Sequence, residues 1–245
     1  MDKRRYFYPE CRFGEWTEVD TTLRLYQRVK SLITPESVVL DIGCGRGARL
    51  PKATPFVRSV IDYKGFAKRV IGIDVEEIGQ TNPSLDEFRL MSPRQPWPVE
   101  DASIDVAICD QVIEHIEDTA FFFTEVDRVL KPGGVICIRT PNRFGYVAMI
   151  AKLLPESLHR RVLKRAQNRT ADIFPTFNRC NTSGALKRAF RRRGYEAVVT
   201  GCDGEPAYFE FSIIAYTIMV YVHRVLPGAL QNQLLCFARK PNVTL

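Results

Sequence analysis

The sequence predicts an α/β fold: an open, mostly parallel sheet with helices on both faces. Three observations carry that expectation. Short runs rich in Val and Ile alternate with helix-period segments over the first 140 residues, the pattern of strands buried on both faces. The run "VVLDIGCGRG" (38–47) ends in three alternating glycines, Gly43, Gly45 and Gly47. That conformational freedom costs backbone entropy unless the chain must approach a ligand closely. Finally, an acid, Asp74, ends the next apolar run.

The elements follow in order. Residues 17–33 place Leu23, Leu25, Tyr26, Val29, Leu32 and Ile33 at helical spacing, and Pro35 stops the helix. "SVVLDIG" reads as a buried strand, "RVIGIDV" (69–75) as a second and "SIDVAICD" (103–110) as a third. "TAFFFTEVDRVL" (119–130) is a helix, "KPGG" (131–134) a turn and "VICIRTP" (135–141) a further strand. After Pro141 the rhythm breaks. Residues 143–170 form a basic amphipathic stretch, "NTSGALKRAFRRRGYEAVVTG" returns to helix plus strand, and "NQLLCFARKP" (232–241) is the final strand. Before it comes 207–228, whose uninterrupted apolar core, 211–222, is twelve residues long. A membrane span needs roughly 17–25, so this segment is expected to pack on the domain or lie in an interface. One domain is expected over 1–245. It has an N-terminal segment 1–34, and insertions at about 143–180 and 207–228 serve as substrate-cap or membrane-contact elements.

Composition narrows the function classes. At 45% hydrophobic and 26% charged residues, the chain has the balance of a folded protein with a full core. Its seven cysteines are scattered without a CxxC pair, so they are expected as buried thiols of a reducing cytoplasm rather than a disulfide framework or zinc site. "MDKRRYFYPE" shows no signal-peptide pattern. The net charge of +7 is concentrated between Arg143 and Arg193. Such a face attracts anionic membrane surfaces or nucleic acid, or is simply solvated.

In an open α/β sheet, ligands bind beyond the carboxyl ends of the strands. Here the spacing is G-x-G-x-G, not the G-x-G-x-x-G of dinucleotide binding, and Asp74 follows Gly43 by 31 residues where about 20 is usual. Residues 51–67 are an insertion that accounts for the difference. A carboxylate at Asp74 suits ribose hydroxyls.

Taken together, "VLDIGCGRG", "VIGIDV", "PWPVEDASIDVAICDQVIEHI", "EVDRVLKPGG" and "IRTPN" resemble, in this order, the class I S-adenosylmethionine-dependent methyltransferases, in motif style the ubiquinone-biosynthesis O-methyltransferases. The resemblance covers about residues 36–142 and continues weakly beyond. It implies a Rossmann-like, seven-stranded sheet with the last strand antiparallel, and S-adenosyl-L-methionine as cofactor. It further implies that Asp41 and the backbone of Gly43, Cys44, Gly45 and Gly47 hold the methionine end, Asp74 the ribose and Val75 the adenine. Asp110 and Gln111 complete that site. The family often has an acid on the adenine amino group where Met91 or Ser92 stands here, so Ser92 is a candidate contact through its backbone.

Methyl transfer needs alignment and, for a hydroxyl acceptor, a base. His115 in "CDQVIEHIED" (109–118) is the candidate, with a pKa near neutrality, and Glu114 is its partner or substitute. "Q-V-I-E-H" also resembles the E-x-x-E-H metal cluster of ubiquinone-type and small-RNA methyltransferases. Gln111 replaces the first acid, and a neutral amide is a poorer ligand for a hard cation, so no metal is expected. Arg143 and Arg179 are candidate contacts for an anionic acceptor group. A basic stretch beside a hydrophobic one suits an anionic bilayer surface. The expected reaction is therefore O-methylation of a small or lipid-linked hydroxylated acceptor, such as a quinone precursor or glycan, by a cytoplasmic protein peripheral to the inner membrane surface. Two alternatives stand beside it. The basic face 143–193 also suits RNA, although its charges are not interleaved with aromatics. The other is N- or C-methylation of a small metabolite.

Overall fold

A computed structural model describes residues 2–153 and 175–242. The strands are β1 (Val38–Ile42), β2 (Arg69–Asp74), β3 (Glu87–Leu90), β4 (Ile104–Asp110), β5 (Leu130–Pro141), β6 (Glu196–Cys202) and β7 (Gln233–Arg239). They form one seven-stranded sheet in the order β3-β2-β1-β4-β5-β7-β6. The pairs from β3 to β5 are parallel, and β7 runs antiparallel to both β5 and β6. The expected mostly parallel sheet with an antiparallel last strand is what the structure shows.

Two expectations change in detail. "KPGG" is not a free turn but the irregular start of β5. The β4–β5 register passes from Ile104↔Leu130 to Val106↔Val135, so the extra residues bulge while pairing resumes. The short edge strand β3, "EFRL", has no counterpart in the sequence reading.

The described α-helices are α1 (Lys3–Phe7), α2 (Thr21–Lys30), α3 (Pro55–Ile61), α4 (Thr119–Val129), α5 (Tyr146–Leu153), α6 (Ser183–Arg191) and α7 (Ile213–Val225), joined by short 3-10 turns. Side-chain caps set several starts. Asp20 accepts from the amides of Thr22 and Leu23, Asp118 from Phe121, Thr182 from Ala185 and Ser212 from Ala215. On one sheet face, α4 and α6 bury Phe122, Phe123, Leu186 and Phe190 against Ile104, Ile136 and Ile138. On the other, Leu25 and Val29 of α2 join Tyr63 over Val39, Val106 and Cys137. All seven cysteines are buried free thiols.

The glycine loop is followed by a short 3-10 turn (Leu50–Lys52), and α3 begins only at Pro55. The segment 51–67 thus displaces the helix that a compact βαβ unit sets directly on the loop. Most of the expected insertion 143–180 lies outside the described residues. So do Arg160, Arg161, Lys164, Arg165 and Arg169 of the basic stretch. Among the described residues no helix is long and apolar enough to cross a membrane.

Candidate cofactor and active site

The site is built at the carboxyl ends of β1, β4 and β5, around a cavity of about 630 Å³. Gly43, Gly45 and Gly47 all have positive φ, at +67°, +48° and +63°, which L side chains adopt only with strain. At Gly43 sterics add to this, because a Cβ would stand 2.5 Å from Val112 Cγ2. The amides of Gly43 and Cys44 both point back to the Ile73 carbonyl, at 2.8 and 3.3 Å. Asp74 tightens the same loop: its Oδ2 accepts from the Gly45 amide at 2.9 Å, its Oδ1 from the Glu76 amide at 3.0 Å. Behind the loop, buried Asn82 donates to the Cys44 carbonyl at 2.9 Å. Gly43→Ala is expected to cost about 1–3 kcal/mol, read as a lower melting temperature. Adding Val112→Ala removes the clash but leaves the φ strain, so it should recover only part of the loss.

Two carboxylates, Asp41 and Asp110, line the cavity together with Arg46, Arg49 and Arg139, and Asp74 lies close behind the glycine loop. Burial first, then the charges of Asp110 and Asp74, push the Asp41 carboxyl up to about 7. Asp110 is itself gripped by Arg139, with Nε to Oδ1 at 2.6 Å and a second guanidinium nitrogen to Oδ2 at 3.0 Å. The third nitrogen of Arg139 donates to Thr21 Oγ1 at 2.9 Å. Gln111 follows in the left-handed conformation (φ +60°), and its side-chain amide donates to Gln233 Oε1 at 2.7 Å.

The candidate residues therefore fall into two groups. Asp41, Gly43, Cys44, Gly45, Gly47, Asp110 and Gln111 line the cavity. Val75 and Ser92 stand outside it, exposed beyond the ends of β2 and β3. Tyr26, Asn82, Arg139 and Gln233 line it as well without having been singled out by sequence. Only Arg139 carries a readable signal, as a charge inside the apolar run "VICIRTP".

The turn Ile113–His115 carries the candidate base four residues past Gln111, and neither His115 nor Glu114 is among the residues that line the cavity. His115 Nδ1 lies 3.0 Å from the Pro175 carbonyl. That oxygen only accepts, so Nδ1 is the donor in this contact. Glu114 points inward: its carboxylate is buried, accepts from Thr140 Oγ1 at 2.9 Å, and is pushed up chiefly by desolvation. The Glu114 carbonyl accepts from the amides of Phe177 and Asn178. Arg143 and Arg179 are exposed and do not line the cavity. Arg179 sits 3.9 Å from Glu117 and over the Phe177 ring.

Comparison with known proteins gives this geometry its family. A family model described as a methyltransferase domain matches residues 12–200. The chain belongs to the class I S-adenosylmethionine-dependent methyltransferases. A probable S-adenosylmethionine-dependent methyltransferase of Mycolicibacterium smegmatis is 35% identical over 130 residues, covering 50% of this chain and 44% of that protein. The chain thus spans less than half the length of this relative. A ubiquinone biosynthesis O-methyltransferase of Thiobacillus denitrificans is 27% identical over 163 residues, 63% of this chain and 69% of that protein. Among solved structures, an Archaeoglobus fulgidus SAM-dependent methyltransferase superposes with a TM-score of 0.52 at 16% identity, over 96% of this chain and 99% of that one. The geranyl diphosphate C-methyltransferase of Streptomyces coelicolor A3(2) superposes equally well, at 0.52 and 16% identity, over 89% of this chain and 78% of that one. These superpositions speak for the fold alone.

The residues of this methyltransferase fit its cofactor on their own terms. Gly45 leaves a Cβ-sized space open, with nothing within 4 Å, so the backbone offers a cradle. The carboxyl of Asp41, held protonated up to about pH 7 by burial and then by the charges of Asp110 and Asp74, is a group that a bound cation relieves. S-adenosylmethionine carries both a sulfonium and an ammonium.

Proposed function

We propose that this methyltransferase transfers the methyl group to a hydroxyl of a small or lipid-linked acceptor, with His115 as general base. The observation that supports this reading is the Nδ1 donation to the Pro175 carbonyl, which orients the imidazole on the turn that follows the cavity-lining Gln111. When bound, S-adenosylmethionine supplies an electrophilic methyl group. Asp41 and the backbone of Gly43 to Gly45 would hold its charged end, and Gln111, latched to Gln233, would shape the acceptor side. His115 takes the acceptor proton as the hydroxyl oxygen attacks. Glu114 is a positioning residue. It ties the turn to β5 through Thr140 and, through its carbonyl, to the segment whose Pro175 orients His115.

The test is His115→Ala, assayed for S-adenosylhomocysteine release with hydroxylated aromatic and lipid-extract acceptors. Turnover is expected to fall about 10²–10⁴-fold, with cofactor affinity by calorimetry nearly unchanged. Undiminished turnover would remove His115 as base. Turnover on amine acceptors alone would replace O- by N-methylation.

A further inference from the structure

The helix α7 is apolar on the wrong side. Its inward residues, Tyr216 and Val220, pack against Tyr8 and the Phe7 ring of α1. Its opposite face carries Ile214, Ile218, Tyr221 and Val225, spaced four, three and four residues apart and therefore in one stripe. They are 70%, 56%, 58% and 81% exposed. Phe211, just before the helix, is exposed as well. A surface helix ordinarily gives its outer face to polar side chains, and contiguous exposed apolar patches mark an interaction site.

We infer that this face docks on an anionic lipid bilayer, with α7 lying in the interfacial plane. Charge and shape both favour that occupant. From Phe211 to Leu230 the chain contains no carboxylate. The exposed cation on the helix is Arg224, over the Tyr221 ring at 5.5 Å from its centroid; just before Phe211, Lys3 Nζ is held at the carbonyl of the exposed Glu210. Apolar side chains beside a tyrosine and an arginine, on a helix that itself carries no acid, suit the boundary of an anionic membrane, where ring and charge meet headgroups while alkyl groups enter the acyl region. At 13 residues, or about 20 Å, the helix is long enough to lie there and too short to cross.

Docking would also aim the active site. The segment after α7 is fastened to the end of β5, where Asn142 Nδ2 donates to the carbonyls of Ala229 and Gln231 at 2.9 and 2.8 Å. It then enters β7 at Gln233, which lines the cavity. The apolar stripe and the acceptor side of the cavity therefore share one end of the sheet. Use of that orientation to reach a lipid-linked acceptor rests on the function proposed above. The docking itself does not.

The experiment is co-sedimentation of the full chain with phosphatidylcholine vesicles and with vesicles containing about one-third phosphatidylglycerol. Binding is expected to the anionic vesicles and to weaken as salt rises. Ile218→Asp with Val225→Asp should lower it at least tenfold, and Arg224→Glu should lower it severalfold. Melting temperature and cofactor affinity should be unchanged, because all three side chains are outside the core and the cavity. Absence of binding to anionic vesicles, or binding indifferent to these substitutions, overturns the inference. So does a concentration-dependent dimer that Ile218→Asp dissolves, which would give the face to a second copy. Turnover on a water-soluble acceptor without vesicles, measured in parallel, reports on the catalytic reading separately: its loss in His115→Ala and survival in Ile218→Asp keep the two questions apart.

Discussion

Asp41→Asn is expected to abolish the pH dependence of cofactor binding and to make the unliganded protein more stable above neutrality. In the folded chain the Asp41 carboxyl keeps its proton to about pH 7, against an ordinary value of 3.8. Between those two values the native state therefore binds more protons than the unfolded state, so this group lowers stability as pH rises through that window. Above pH 7 the full penalty applies, on the order of 4 kcal/mol. The asparagine cannot ionise, and denaturant melts of the variant should lack that slope. Ligand binding has the opposite sign. A cationic ligand prefers ionised Asp41, so wild-type affinity for S-adenosylmethionine should rise about tenfold per pH unit below 7 and level off above it. Calorimetry at pH 6 in two buffers of different ionisation enthalpy should show nearly one proton released per ligand bound. In the variant the release should vanish, and affinity at pH 8 should be lower by about one to two orders of magnitude. Proton release that is the same in both proteins would put the titrating group elsewhere.

Arg139→Met is expected to be the most destabilising single change at the site, by about 3–5 kcal/mol, because it leaves the largely buried Asp110 without its countercharge. Both guanidinium–carboxylate bonds and the donation to Thr21 go together. Adding Asp110→Asn should restore much of the stability at neutral pH, since an amide needs no countercharge. Urea melts of the single and double variants at neutral pH measure the effect. A double variant no more stable than Arg139→Met would mean that Arg139 acts through packing rather than charge.

The parts of the fold legible in the sequence are those whose burial leaves a local trace. β1, β2 and β4 are continuous apolar runs because both faces are covered. β3 is hard to see for the opposite reason: three of its residues are only partly buried, Leu90 is exposed, and two carry charges, with Glu87 pairing with both Arg69 and Arg89. The motif "EVDRVL" is visible as a pattern, but its work is tertiary. Glu125 accepts from the Trp97 amide at 2.6 Å, while Arg128 donates to the carbonyls of Trp97 and Val99 at 2.9 and 2.7 Å, clamping the loop that leads into β4. The glycine loop announces a ligand, and its positive φ angles follow from composition. The Asp110–Arg139 pair does not, because it depends on β4 and β5 lying side by side in a register that sets these two residues opposite each other. Tyr26 and Asn82 reach the cavity from a helix and a loop with unremarkable sequences. No local pattern marks them.

The placement of β7 between β5 and β6 has a consequence for how the chain assembles. β6 is synthesised before β7 yet, among the described strands, pairs only with it, so one flank of the sheet cannot close in chain order. Until β7 inserts, β5 and β6 both present open hydrogen-bonding edges, and the pairing that links them is long-range in sequence and correspondingly slow. The earlier strands, which include the glycine loop, do not depend on that insertion. A refolding experiment that follows cofactor binding and β6 amide protection together should find the cradle formed first and the far edge sealed last.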